Sequence, residues 1–380
     1  MKERKTALVL AGGGARGAYE AGVWQALTEL GVEFDMVCGT SVGAINAAMV
    51  VQGDVDKLNT LWKEIRTDEV FDVAEDANML SFATEFIKNG GASTDKLKAL
   101  IDKYLDEEAV RNSPIEMGLM TTEFPALKPR PLWVRDIPEG QLGDYIAASS
   151  AAFPAIHYYE IGEEKFIDGG YSNNLPIPMA WDNGATDCIA VFMEAPGKYF
   201  SEQAEGQDNV TLIKCLWDLG DFLVFDPDNS KRTERLGYQT AMKEYGAYDG
   251  TMYTFYKGAF PKSEWTDLDA VALSFDMDPL ILYSRKKFME RLTDAVLAAK
   301  ADMVIDADLS LSNLSAMQAL ASLDKLRELV KSVNKKTLTL FIADSLMTRG
   351  EGSIFYKGYG KKLLKDQVRA ARWLIKHGLA

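Results

Sequence analysis

The chain has 380 residues, 47% of them hydrophobic, enough to bury a large core in one domain or two. Its formal charge of -14 argues against nucleic-acid binding, because phosphate backbones reward basic surfaces, and against bulk attraction to anionic membrane. No apolar run approaches the ~20 residues of a membrane-spanning helix, so any lipid contact is expected to be peripheral.

Met1 to Lys5 is basic, but the apolar run behind it is too short for a secretory signal and leads straight into glycines. The expected location is cytoplasmic, peripheral to a membrane at most. Cys38, Cys188 and Cys215 lack metal or redox spacing and read as reduced core thiols.

Residues 6–10 form a continuous apolar run that ends in Gly12-Gly13-Gly14-Ala15-Arg16-Gly17, and residues 18–30 follow with helical spacing. Residues 33–38 read as a second strand, Ser41 as a turn and residues 44–52 as a helix. Two successive βα units with buried-type strands predict a mostly parallel sheet between helical layers, an α/β/α sandwich. Helices are expected over 54–66, 78–89, 94–106 and 140–150, with strands over 115–122 and 131–136. A hairpin of 158–161 and 165–167 delivers Asp168-Gly169-Gly170. A short helix over 177–183, a strand over 188–193 and a polar loop over 194–209 precede helices expected over 210–225 and 230–245. Beyond these, strands over 252–256 and 271–275 and helices over 279–300, 315–333 and 361–377 suggest a smaller α+β or helical module. The expected division is a catalytic domain of 1–247 and an extension of 248–380 packed on it.

Three stretches carry chemistry. Gly39-Thr40-Ser41-Val42-Gly43 is a Gly-x-Ser-x-Gly between strand and helix, a turn that lifts a serine hydroxyl clear of the sheet with a helix N-terminus behind it. The loop of Gly12, Gly13 and Gly14 frees backbone N–H groups to converge on a developing oxyanion, with the Val42 amide as a further donor. The same glycines, with Gly17, satisfy the dinucleotide fingerprint, but the second strand lacks an acid at its end and Asp35 lies near its start. Arg16 either orients the loop, meets an anionic head group or forms a surface ion pair. The third stretch, Asp168-Gly169-Gly170, places a carboxylate at a strand exit where it can take the serine proton directly if the site is dry. The chain has two histidines. His377 could complete a triad with Ser41 and Asp168 but lies three residues from the end, and His157 sits among aromatic residues where a structural role is commoner.

Taken together, these motifs, with Ala148-Ser149-Ser150-Ala151-Ala152-Phe153-Pro154 and Asn173-Asn174-Leu175-Pro176, resemble the patatin-like phospholipase family over about residues 5–188. The resemblance implies a Ser-Asp dyad without histidine, Ser41 as nucleophile and Asp168 as base, the glycine loop as oxyanion hole, and hydrolysis of lipid acyl esters with no metal and no cofactor. An acyltransferase or thioesterase with the same dyad, and a lipid- or protein-binding module with a vestigial one, are the rival expectations. Head group, acyl-chain preference and oligomeric state are not set by the sequence. The helix expected over 210–225, with Trp217, Phe222 and Phe225, is a candidate lid or membrane-dipping element, although such a stripe is more often core.

Overall fold

The computed structural model describes residues 4–71, 91–305 and 333–380, and these divide into two compact units, Met1–Glu244 and Tyr245–Ala380. The helices expected over 78–89 and 315–333 lie outside the described residues, apart from Val333.

In the first unit, strands β1 (Thr6–Leu10), β2 (Met36–Thr40), β3 (Glu116–Glu123), β4 (Lys128–Trp133), β5 (Tyr159–Ile161), β6 (Glu164–Asp168), β7 (Asp187–Phe192) and β8 (Val210–Lys214) form one sheet. Its order is β5-β6-β3-β2-β1-β7-β8, with β4 also paired to β3. The five strands β3-β2-β1-β7-β8 are parallel, while β4, β5 and β6 run antiparallel at one side. Side chains of β1, β2 and β7 are buried without alternation, which requires helices on both faces. Those helices are α1 (Ala18–Glu29), α2 (Val42–Gln52), α3 (Val55–Glu64), α4 (Thr67–Val70), α5 (Asp95–Tyr104), α6 (Glu107–Asn112), α7 (Leu142–Ser149), α8 (Ile177–Asp182) and α9 (Pro227–Glu244). The three-layer α/β/α sandwich is as expected.

One segment differs sharply. Residues 210–225 are not a helix: β8 extends the parallel sheet beside β7, and an irregular loop follows. The leucine spacing suited a helix, but Val210, Thr211 and Ile213 are β-branched and the edge of β7 offers them a ladder. Downstream, the Asp218 carboxylate accepts the Gly220 amide at 2.9 Å and the Asp221 carboxylate accepts the Leu223 amide at 2.8 Å. These local bonds, with Gly220 at φ 86°, hold the chain in turns that a helix cannot continue through.

The second unit is α+β. Strands β9 (Tyr248–Asp249), β10 (Thr254–Tyr256) and β11 (Leu282–Tyr283) form a small mixed sheet. Helices α10 (Trp265–Ser274), α11 (Arg285–Ile305), α12 (Lys335–Arg349), α13 (Tyr359–Leu363) and α14 (Lys365–Lys376) accompany it. Residues 271–275, expected as a strand, end α10, because Leu268, Val271 and Ala272 continue a helical apolar face that is fully buried. The helix expected from 279 begins only at Arg285, after β11. Phe255, Phe260, Tyr283, Phe288 and Trp373 form an aromatic core with edge-to-face contacts of 5.1–6.3 Å.

Candidate active site

Parallel pairing of β1 with β2 brings the glycine loop and Ser41 to one carboxyl edge of the sheet. Asp168 reaches that edge by the opposite route. Strand β6 runs antiparallel to β3 and stops where Asp168 pairs with Thr121, one residue beyond the Met120 that pairs with Thr40. Two strands of opposite direction therefore end at the same level, and Ser41 and Asp168 line the same cavity, close enough for the serine hydroxyl to act on the carboxyl's pKa.

Ser41 caps α2 at φ 55° and ψ -128°, a backbone conformation that costs a non-glycine residue on the order of 1–3 kcal/mol and persists because its neighbours enforce it. Gly39 and Gly43 permit the turn: a side chain on Gly39 would meet the Gly43 carbonyl at 2.1 Å, and one on Gly43 would meet the carbonyls of Leu10 and Ala11 at 2.6 Å. The Ser41 amide donates to Ser149 Oγ at 2.9 Å, which donates in turn to the Met120 carbonyl at 2.7 Å. Ser149 thus fastens the elbow to β3.

Asp168 is 8% exposed, and burial pushes its pKa from 3.8 up to about 6, against the lowering effect of the Ser41 hydroxyl and the Gly170 amide. The Gly170 amide lies 2.7 Å from Oδ1. Gly169 has no room for a side chain, since a Cβ there would sit 2.0 Å from the Met120 carbonyl. The backbone of Asp168 is held by its amide on the Ala151 carbonyl and by Thr122 Oγ1 on its own carbonyl, at 2.8 and 3.0 Å.

The glycine loop separates by function. The Gly12 amide already donates to the Asn174 carbonyl at 3.0 Å, so Gly12 is not available as an oxyanion donor. Its role is steric: a Cβ would come within 2.3 Å of Asn174 Oδ1 and 3.2 Å of the Ser41 Cβ. Among the described residues the Gly13, Gly14 and Val42 amides have no hydrogen-bond partner. Among the described residues Arg16 pairs with no acid; it donates to the carbonyls of Met193, Glu194 and Gly220 at 3.2, 2.7 and 2.8 Å. It ties the glycine loop to the segments after β7 and β8. Gly17 lets Trp62 and Val42 approach, with a Cβ there 2.5 Å from the indole.

Two supports carry no motif signature. Asn174 donates from Nδ2 to the Gly12 carbonyl at 3.1 Å and lines the site with its other face against Gly170 and Gly197. Behind the loop, Asn46 joins three helices, donating to the Gly17 carbonyl and to Glu20 Oε2 at 3.0 and 2.8 Å and accepting from Trp62 Nε1 at 3.0 Å. Burial pushes the Glu20 carboxyl well above the usual range. Asn174 was visible only as part of the family resemblance, and Glu20 and Asn46 looked like ordinary helix residues.

A cavity of about 470 Å³ opens beside Ser41 and Asp168, walled mainly by apolar side chains of α2, α3 and α5 and by Phe222, Leu223 and Phe225 of the loop after β8. Phe225 stacks on Trp62 at 6.2 Å and meets Phe71 edge-on at 6.0 Å. Phe222 and Phe225 thus belong to the cavity wall, on a loop rather than a lid helix.

His157 is exposed and not among the cavity residues. His377 lies in the second unit, stacked on Trp373 at 3.8 Å with Nδ1 2.8 Å from the Trp373 carbonyl. Asp35 receives the Thr6 amide at 2.8 Å at the opposite end of the strands from the glycine loop, where it cannot complete a dinucleotide site. Among the described residues no cluster of metal-ligating side chains occurs and no helix is long and apolar enough to cross a membrane.

Fold and site together define a three-layer α/β/α protein with a serine elbow opposed to a buried carboxylate. Residues 8–181 match the sequence model of the patatin-like phospholipase family. A human relative, patatin-like phospholipase domain-containing protein 6, is 26% identical over 256 residues, covering 66% of this chain and 18% of its own length. Lysophospholipase nte1 of Aspergillus terreus is 30% identical over 193 residues, 50% of this chain and 12% of its own. The chain thus spans less than a fifth of these relatives. A crystal structure of VipD from Legionella pneumophila covers 99% of this chain and 91% of its own at 14% identity, with a TM-score of 0.41.

Proposed function

We propose that the first unit is a serine acyl hydrolase acting on lipid esters, with Ser41 as nucleophile and Asp168 as its base. The observation that carries this reading is the juxtaposition, in the wall of one apolar cavity, of the Ser41 elbow and a buried carboxylate whose pKa lies near 6. Burial keeps the carboxylate basic enough to accept a proton while leaving it ionised at neutral pH.

In the first half-reaction the Ser41 hydroxyl proton passes to Asp168 as Oγ bonds to the ester carbonyl carbon. The negative charge moves to the carbonyl oxygen, which the Gly13, Gly14 and Val42 amides are free to receive. Collapse breaks the bond to the alcohol oxygen, which leaves with the proton held by Asp168. A water then gives a proton to Asp168 and attacks the acyl carbon, and the proton returns to Ser41 as the fatty acid departs. The match of residues 8–181 to the family model and the lysophospholipase name of a relative support a lipid ester as substrate. The cavity supports an acyl chain as the part recognised.

Ser41→Ala and Asp168→Asn are each expected to lower kcat for p-nitrophenyl acyl esters by at least about a thousandfold, since members of one catalytic unit are not additive. A fluorophosphonate probe should label the native protein at Ser41 and leave Ser41→Ala unlabelled. Full activity in either variant sinks the assignment, and absence of labelling in the native protein favours a binding module.

A further inference from the structure

The cavity beside Ser41 has a direction. Ser41 stands at the N-terminus of α2, and successive residues on one face of that helix lead away from it: Val42 and Ile45 line the cavity, while Ala48 and Met49, the next turn, do not. Those two residues instead line a separate apolar recess of about 10 Å³, bounded also by Ile101, Tyr104, Leu105 and Ile146. Ile45, Leu61 and Leu100 belong to both spaces. One layer of side chains, from α2, α3 and α5, therefore separates the cavity from an under-filled recess one helical turn farther from the nucleophile.

We propose that Ile45, Leu61 and Leu100 form the end wall that limits the length of acyl chain this protein takes, with the recess behind them as unused length. The proposal rests on the acyl-hydrolase reading and adds to it the course of the chain, which runs from Ser41 along α2 toward its C-terminus. Truncating a wall leucine to alanine removes about three carbons and joins the recess of about 10 Å³ to the cavity. Leu100 is the wall residue of choice for substitution. It is only partly buried and lies on the surface helix α5, whereas Leu61 is 3% exposed.

The test is a ladder of p-nitrophenyl esters from butanoyl to octadecanoyl, with kcat/KM measured for the full chain and three variants. In the native protein kcat/KM should rise with chain length and fall once the wall is met. Leu100→Ala should move that fall by about two carbons and raise the ratio of octadecanoyl to dodecanoyl ester about tenfold, the gain expected from about two newly buried methylenes. Leu100→Ala combined with Ala48→Leu, which refills the recess from behind, should return the native profile. Ile45→Val, the mildest change, should shift the fall by about one carbon and serves if Leu100→Ala does not retain fluorophosphonate labelling. A profile unchanged in variants that still label overturns the end wall while leaving the hydrolase reading intact. If the native protein neither labels nor cleaves any ester of the ladder, the hydrolase reading fails and the end wall falls with it.

Discussion

Asp168 is set for chemistry at a cost in stability. Its carboxyl has a pKa of about 6 in the folded chain against 3.8 ordinarily, so between those values the folded state holds the proton that the unfolded state has lost. Stability therefore falls as pH rises from about 4 to about 6, and the full penalty, on the order of 3 kcal/mol, is present above that window. Asparagine keeps an acceptor for the Gly170 amide without the buried charge. Asp168→Asn is accordingly expected to raise Tm by several degrees at pH 7.5, with the gain shrinking toward pH 4 in calorimetry at stepped pH. The same shift sets the acid limb of native activity, which should have its midpoint near pH 6. At this scale Ser41, Asp168 and the unengaged amides of Gly13, Gly14 and Val42 were all named from the sequence. Gly12 was named with them as an oxyanion donor, and that reading fails because its amide is taken by the Asn174 carbonyl, from a segment more than 160 residues away.

Among elements, α1 and α9 approach each other closely. A Cβ on Gly22 would lie 1.8 Å from the Glu234 carbonyl, and one on Gly237 would lie 2.0 Å from the Tyr19 carbonyl. The two helices meet backbone to backbone, and α1 carries Glu20, which anchors Asn46 behind the glycine loop. Alanine in an exposed helix interior gains about 1 kcal/mol over glycine, but here the helices must separate. Gly237→Ala is expected to lose about 2 kcal/mol net, seen as a Tm lowered by roughly 4–8 °C. An unchanged Tm would mean that the helices slide apart freely. The element order of the first unit was legible where local signals agreed: glycine after an apolar run, Gly-x-Ser-x-Gly before a small-residue helix, a turn at Gly162-Glu163 between β5 and β6. It failed at 210–225, where the leucine spacing fits a helix and only the open edge of β7 makes a strand the better partner. Residues 271–275 failed in the opposite sense, since a short apolar run does not distinguish a buried strand from the end of a buried helix.

For the whole molecule the relevant quantity is charge. With 56 acidic against 42 basic residues, the chain should be repelled by anionic lipid and gain nothing from long-range attraction. In vesicle flotation at low salt it is expected to associate better with zwitterionic than with anionic vesicles. The difference should vanish near 0.15 M salt, where the screening length falls to about 8 Å. Stronger binding to anionic vesicles would point to a local basic face that outweighs the total. The sequence by itself determined the sandwich class, the serine elbow, the carboxylate and the glycine loop, because each rests on a local backbone requirement that few residues satisfy. Only the tertiary structure decided what depends on distant segments: that β6 ends level with β2 so that Asp168 meets Ser41, that Arg16 binds loop carbonyls, and that α2, α3 and α5 enclose an apolar cavity. Such contacts join residues whose identities are locally unremarked, and packing alone selects them.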